Sequence, residues 1–331
     1  MASIAIQVAH LQRETAPGTP ETDAMLRPLS LKLTPGMTGT GGSGFRSAGA
    51  AVMTAYEIGD LWSAWAVEGV QDFNALGFIL ACVFGPPVTN PVSGSTGAYE
   101  HVFTPKGFGA DDLVSYTAQY GDDDIAFQAA MMVFQSLGLT IERGNLSLSS
   151  NAISRLFDEN ATLATTGVTD VPAVLIPSTG YNVFADDTWA ALGTNKMLAC
   201  YRAEVTTPDK YTPDAPINSA IDGFESLVAN AEGDFTSNWT FGVNAAAKAL
   251  ITTFKNRAKK FIRLAAEGPI ITGSTRYSVK YDTCTQLTNV GQFTTAPGSS
   301  VHVVPFDGQM IYDDVSGKFA EVTLVNTVAS Y

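Results

Sequence analysis

Charge is what this chain has least of. Only 15% of its 331 residues are Asp, Glu, Lys or Arg, while 45% are apolar, against about a quarter charged in an ordinary globular protein. A chain this long can bury a substantial core, and it forms either one large domain or two modest ones. The shortage of charge points to a surface covered by other copies of the chain. Solvation by its many Ser, Thr, Asn and Gln residues is the alternative. Histidine is scarce too. His10, His101 and His302 stand far apart without a carboxylate or Cys at ligand spacing, so they read as surface or edge residues and not as a zinc site. Cys82, Cys200 and Cys284 are odd in number and lack metal-site spacing, as expected of buried thiols in a reducing compartment. The sequons beginning at Asn145, Asn160 and Asn238 carry no weight without secretion. No apolar run approaches the roughly 20 residues of a membrane helix, and the best, Leu76–Phe84, is far too short. The opening MASIAIQVAHLQRETAPGTP turns polar too soon for a signal peptide.

Catalytic signatures are missing as well. There is no GxSxG, Walker A, Rossmann glycine fingerprint or CxxC. Gly36–Gly44 lacks the Lys-Ser/Thr of a phosphate loop and reads as a flexible hinge. The sequence therefore nominates no catalytic, cofactor-binding or metal-binding residue, and the expectation is a protein that is not an enzyme.

What charge there is runs acidic: 32 acidic residues against 19 basic, a net of −13. That argues against tight, sequence-specific nucleic-acid binding, yet suits a surface past which DNA slides without sticking. Asp111-Asp112 and Asp122-Asp123-Asp124 lack the spacing of a calcium loop. Two carboxylates across a cleft stay open as a hydrolase reading, beside a solvated turn or a negatively charged channel lip. Lys255, Arg257, Lys259, Lys260 and Arg263 form one basic cluster, read as salt bridges to an acidic neighbouring subunit, a solvated face or a phosphate patch. Trp62 and Trp65, three apart in an extended segment, fall on opposite faces, one for the core and one for a neighbour. Trp189 reads as core packing at a short helix start.

The organisation is β-dominated with two helices. Residues 1–25, where Val8, Leu11 and Met25 are dispersed among Pro, Thr, Gly and acids, read as an N-terminal arm that is disordered or ordered only against a neighbour. Leu29–Thr34 alternates as a strand. Arg46–Ile58 and Leu61–Phe73 read as a hairpin about Gly59-Asp60. A short apolar helix, Asn74–Phe84, follows, stops at Gly85-Pro86-Pro87 and covers a sheet edge. Strands are expected near Tyr99–Thr104, Leu113–Gln119, Ile125–Val133, Ser136–Arg143, Asn145–Ser150, Val174–Pro177, Leu198–Glu204, Ile270–Tyr281, Ser300–Val304 and Ala320–Val328. The clearest helix runs from Asn244, a good cap, to about Ala258, with Ala247, Leu250, Ile251 and Phe254 on one stripe.

Several passages resemble, in order and texture over nearly the whole chain, the major tail protein of phages with long, non-contractile tails. They are the Pro/Thr-rich arm, GDLWSAWAVEGVQDFNALGFILACVFG (Gly59–Gly85), HVFTPKGFGADDLVSYTAQYGD (His101–Asp122), SLGLTIERGNLSLSSNAIS (Ser136–Ser154), YNVFADDTWAALGTNK (Tyr181–Lys196), AEGPIITGSTRYSVKYDTC (Ala266–Cys284) and VTLVNTVASY (Val322–Tyr331). The resemblance implies a tail-tube-type β-sandwich over residues 26–331 with a flanking helix, elaborated near 167–216. It implies hexameric rings stacked into a tube, without catalytic residues or cofactor. The implied partners are other copies, a tape-measure protein in the lumen, a tail terminator, distal tail or baseplate proteins, and viral DNA in transit without specific binding; no membrane is implied. The implied location is the virion tail, assembled in the bacterial cytoplasm. The lumen-lining sheet would comprise Arg46–Ile58, Leu61–Phe73, Leu113–Gln119 and Ile125–Val133, with Asp122–Asp124 at a rim. Another virion shell, decoration or baseplate component, or a carbohydrate-binding β-sandwich, is the alternative.

Overall fold

The helix α1, Leu76–Phe84, is buried at every one of its nine positions. A helix that is apolar all round has no solvent face to offer, and it belongs inside a core. This corrects the expectation of a helix laid over a sheet edge. Asp72 sets its start: its Oδ1 accepts the backbone N–H of both Asn74 and Ala75 at 2.8 Å. Gly85, with φ 88°, turns the chain out before Pro86. The computed structural model describes residues 8–40, 43–49, 51–57, 60–122, 125–216, 223–229, 233–296 and 300–331.

Around α1 the chain is a mainly β fold, and all strand pairings but one are antiparallel among the described residues. One run of paired strands passes from Leu31–Thr40 through Asp60–Gly69, Asn145–Ser154, Gly138–Glu142, Cys200–Thr206, Thr236–Gly242 and His302–Met310 to Thr275–Val290. The 16-residue strand Thr275–Val290 is shared. It also pairs with Lys259–Thr272, which carries Tyr181–Asp186, and with Ala320–Asn326, which carries Tyr99–Phe103 and Val88–Pro91. A third run joins Thr169–Val171, in parallel, to Leu26–Pro28, then Val8–Arg13, Tyr116–Gly121, Ala126–Phe134 and the end of Asn145–Ser154. A hairpin of Tyr211–Asp214 and Ser226–Ala229 stands apart. The pattern of inward residues is the expected period of two: Ala320, Val322, Leu324 and Asn326 are buried along one strand.

The N-terminal segment differs from the expected arm. Val8–Arg13 pairs residue for residue with Tyr116–Gly121, and Leu11 and Met25 are fully buried. Buried Glu14 locks this segment down. Its carboxylate accepts hydrogen bonds from Ser115 Oγ (2.6 Å), Gly18 N (2.7 Å), Met131 N (2.8 Å) and Thr117 Oγ1 (3.1 Å). Residues 1–7 of the arm lie outside the described residues. The 167–216 stretch supplies Cys200–Thr206, a strand with a neighbour on each side, as well as the Thr169–Val171 and Tyr181–Asp186 pairings.

The second helix, α2 (Ala245–Lys255), is capped as expected by Asn244, whose Oδ1 accepts Ala247 N at 3.0 Å. It packs on Thr275–Val290, with Ala247 and Leu250 buried and Ile251 and Phe254 half-buried against the core. At the other end of the chain Tyr331 is buried against α1. Its ring meets Phe78 at 5.1 Å and His101 at 4.9 Å, and Arg13 Nη1 donates to its carbonyl at 2.8 Å. A Cβ on Gly77 would lie 2.1 Å from the Tyr331 ring, so only glycine lets the two approach.

Candidate assembly surfaces

Leu31–Thr40 lies against Asp60–Gly69, from Leu31 opposite Gly69 to Thr40 opposite Asp60, and the same two stretches of chain pair again from Ser43–Glu57 to Phe45–Ala55. Together they make one long hairpin. Its reversal falls among residues 46–54 and not at Gly59-Asp60: Asp60 begins a strand, and Gly59 lies outside the described residues. Part of the Gly36–Gly44 stretch, expected as a hinge, is strand within this hairpin.

The base of the hairpin belongs to the body. Leu31, Leu33, Trp65 and Val67 face the core, while Lys32 and Glu68 pair outward at 3.1 Å. Trp65 Nε1 donates to Ser154 Oγ at 2.8 Å. The neighbouring strand pairs only with Ser63–Gly69, so beyond Ser63 the hairpin runs on without it. From there Met37, Phe45, Val52, Met53 and Tyr56 are between 57% and 70% exposed. All described residues from Gly44 to Tyr56 are exposed. A Cβ on Gly44 would lie 2.6 Å from Met53 Sδ, so the Met53 side chain packs close over this glycine. A two-stranded hairpin alone is marginal in water, and a contiguous apolar patch marks a contact site.

A second feature lies where Gly138–Glu142 and Cys200–Thr206 end. A cleft of about 420 Å³ is lined there by Ile141, Tyr181, Met197, Leu198 and Tyr201, among others. Leu198 is 86% exposed. Arg202 is held beside the cleft by Glu142 at 3.1 Å and by Glu204. Another cleft of about 420 Å³ includes Lys106, Asp111, Lys210, Phe235 and Tyr312. Its buried cation is satisfied internally: Lys210 Nζ donates to Asp111 Oδ2 at 2.6 Å and to Val83 O at 2.7 Å. Burial lowers the Lys210 pKa, and Asp111 opposes that shift.

The residues nominated by sequence are dispersed. His101 is fully buried, with Nδ1 2.8 Å from Thr89 Oγ1 and Nε2 2.9 Å from Val328 O. His10 is buried on the N-terminal strand, and only His302 is exposed, which corrects the surface reading for two of the three. Asp112 pairs with Lys106 at 3.1 Å, and Asp122 accepts Ile125 N at 2.9 Å within its turn. Asp123 and Asp124 lie outside the described residues. Among the described residues no cluster of His, Cys, Asp and Glu could hold a metal ion. Burial pushes the Cys82 thiol up to about 12 and that of Cys284 to about 11, away from a reactive thiolate.

Three of the five residues of the basic cluster form ion pairs within the chain. Lys260 pairs with Asp187 at 2.6 Å and Lys259 with Asp313 at 3.5 Å, while Arg263 grips Asp282 through two bonds of 2.6 and 2.7 Å. Lys259, Lys260 and Arg263 stand on the strand Lys259–Thr272, where Asp282 faces Arg263 across the pairing, while Lys255 and Arg257 are exposed at the end of α2. Trp65 is buried and Trp62 half-buried, on opposite faces as expected. Trp189 packs edge-on to Phe261 at 6.0 Å under Lys318. Of the strands expected to line a lumen, Asp60–Gly69 pairs along Asn145–Ser154, and Ala126–Phe134 pairs with the same strand at Ala152 and Ile153 from its other side. Sequence reasoning passed over Phe45, Val52, Met53, Tyr56 and Leu198, although large apolar residues amid Gly, Ala and Ser were a legible signal. No family model matches the chain, and no characterised protein matches it significantly in sequence.

Proposed function

We propose that this chain is a structural subunit that polymerises through contacts between its own copies, as stacked hexameric rings forming the tail tube of a long, non-contractile-tailed phage. The observation that carries the reading is the hairpin whose apolar tip is bare on both faces. Such a tip gains stability only against another molecule. The shortage of charge in a chain of net −13 supports a surface that other copies cover, around a conduit that repels DNA phosphates. The tail-protein resemblance of the quoted passages supplies the ring and tube. On this reading the tape-measure protein occupies the lumen, terminator and distal tail or baseplate proteins close the ends, and DNA passes without specific binding. The protein is not an enzyme and carries no cofactor. It assembles in the bacterial cytoplasm and ends in the virion.

Negative-stain electron microscopy of the purified protein, with and without tape-measure protein, tests this. Unbranched hollow tubes with six-fold end views are expected. Closed shells or single decoration particles would favour another virion component. Persistent monomers at high concentration would refute the reading.

A further inference from the structure

We propose that assembly is head to tail, with the hairpin tip of one copy seated in the Leu198–Tyr201 cleft of the next. This rests on the reading of the chain as a self-assembling subunit and goes further by naming the two surfaces that meet.

The strand registers place these surfaces at opposite ends of one sheet. Gly69, at the hairpin base, is opposite Leu148; Leu148 is opposite Leu139; Leu139 is opposite Val205. Moving outward along the hairpin, from Gly69 toward Asp60, corresponds to moving toward Ser154, Gly138 and Thr206 on these neighbours. The reverse direction leads to Asn145, Glu142 and Arg202, which face one another at the far end. The cleft with Leu198 and Tyr201 opens there. Twist of about 20–25° per strand accumulates to roughly 60–75° over the three steps. That tilts the cleft relative to the hairpin without bringing it round to the same end.

The apolar surface continues across the neighbouring strands at that end. Cys200 is opposite Phe241 and a Cβ on Gly242 would lie 3.2 Å from the Tyr201 ring, so exposed Val243, the next residue, stands near Tyr201. Exposed Phe293 lies further across the sheet, next to Thr294 opposite Val303. With an aromatic burying about 150–250 Å², tip and cleft side chains together present on the order of 1,000 Å², the area a specific interface needs. The tip cannot reach its own cleft from the opposite end of the sheet. Pairing tip to tip would be self-complementary, would stop at two copies and would leave Leu198 bare. Joining two different patches instead gives a heterologous contact that repeats from copy to copy.

The test uses full-length chains carrying Phe45→Asp, which spoils the tip, or Leu198→Asp, which spoils the cleft. Both sites are exposed, so the fold is retained, as circular dichroism will verify. Phe45→Ser and Leu198→Ser replace the aspartates if it is not. Sedimentation velocity reads the outcome. Each variant alone should stop at a limiting unit far smaller than the wild-type assembly. Mixed in equal amounts, the two should form a species of twice that unit's mass, because one intact tip and one intact cleft remain to meet. Wild-type-like growth of either variant, or a mixture no larger than its components, would overturn head-to-tail docking while leaving self-assembly intact. Wild-type protein that never leaves the monomer would overturn the self-assembly reading itself.

Discussion

At the scale of single residues, the costly features are polar groups brought inside and satisfied there. Lys210 and Asp111 are almost fully buried, and their ion pair holds the 106–111 loop to the segment before Tyr211. Removing one partner strands a buried charge, which costs about 3–5 kcal/mol, whereas replacing both with apolar groups is often close to neutral. Lys210→Ala should therefore lower urea stability by that amount, and Lys210→Met with Asp111→Leu should recover most of it. His101 has a different consequence. Burial holds its imidazole below the ordinary value of 6.5, although Val328 O and Asn326 oppose the shift. The unfolded chain then binds more protons than the folded one as pH falls below about 6.5, so this contribution to stability is present above that pH and lost beneath it. The melting temperature should drop on acidification from neutral, and His101→Gln should flatten that slope in a pH series followed by circular dichroism. Neither burial was legible in the sequence, because a lone His or Lys carries no local sign of what a distant strand places around it.

Elements were legible to the degree that their signals are local. The α2 helix was read from Asn244 and the Ala247–Leu250–Phe254 stripe, and it formed there. Asn244→Ala should cost about 1 kcal/mol and Leu250→Ala about 2–5 kcal/mol. Phe254 is half-buried, so the same truncation there should cost less by chemical denaturation. Gly144, at φ 85°, turns the hairpin of Gly138–Glu142 and Asn145–Ser154, between the strands expected at Ser136–Arg143 and Asn145–Ser150. The existence of α1 was also plain, but not its place, because a helix without a polar face gives no direction. Thr236–Gly242 was missed, although Ser237, Trp239 and Phe241 alternate inward; polar partners hide a short strand. The long hairpin was misregistered. Pairing Leu31 with Gly69 is a long-range choice, and the local Gly-Asp signal offered a nearer turn. Likewise the first strand looked structureless because its stability comes from Tyr116–Gly121 and from Glu14, neither of which shows as a period.

For the whole molecule, a continuous mainly β body with one enclosed helix leaves an apolar protrusion at one end of a sheet and an apolar cleft at the other. On the proposed reading a monomer gains nothing from either feature, whereas a polymer uses both. The tail-tube reading gives these surfaces a purpose, and the low charge of the chain becomes a consequence of repeated contact between copies. The most direct test is sedimentation velocity over a wide concentration range, comparing the wild-type chain with one in which Ser43–Glu57 is replaced by an Asn-Gly turn, a sequence suited to closing a hairpin tightly. The account predicts wild-type protein that grows with concentration into large, regular assemblies, and a shortened protein that stays folded but does not grow beyond a limiting unit. Equal growth of the two, or two monomers indistinguishable at every concentration, would contradict it.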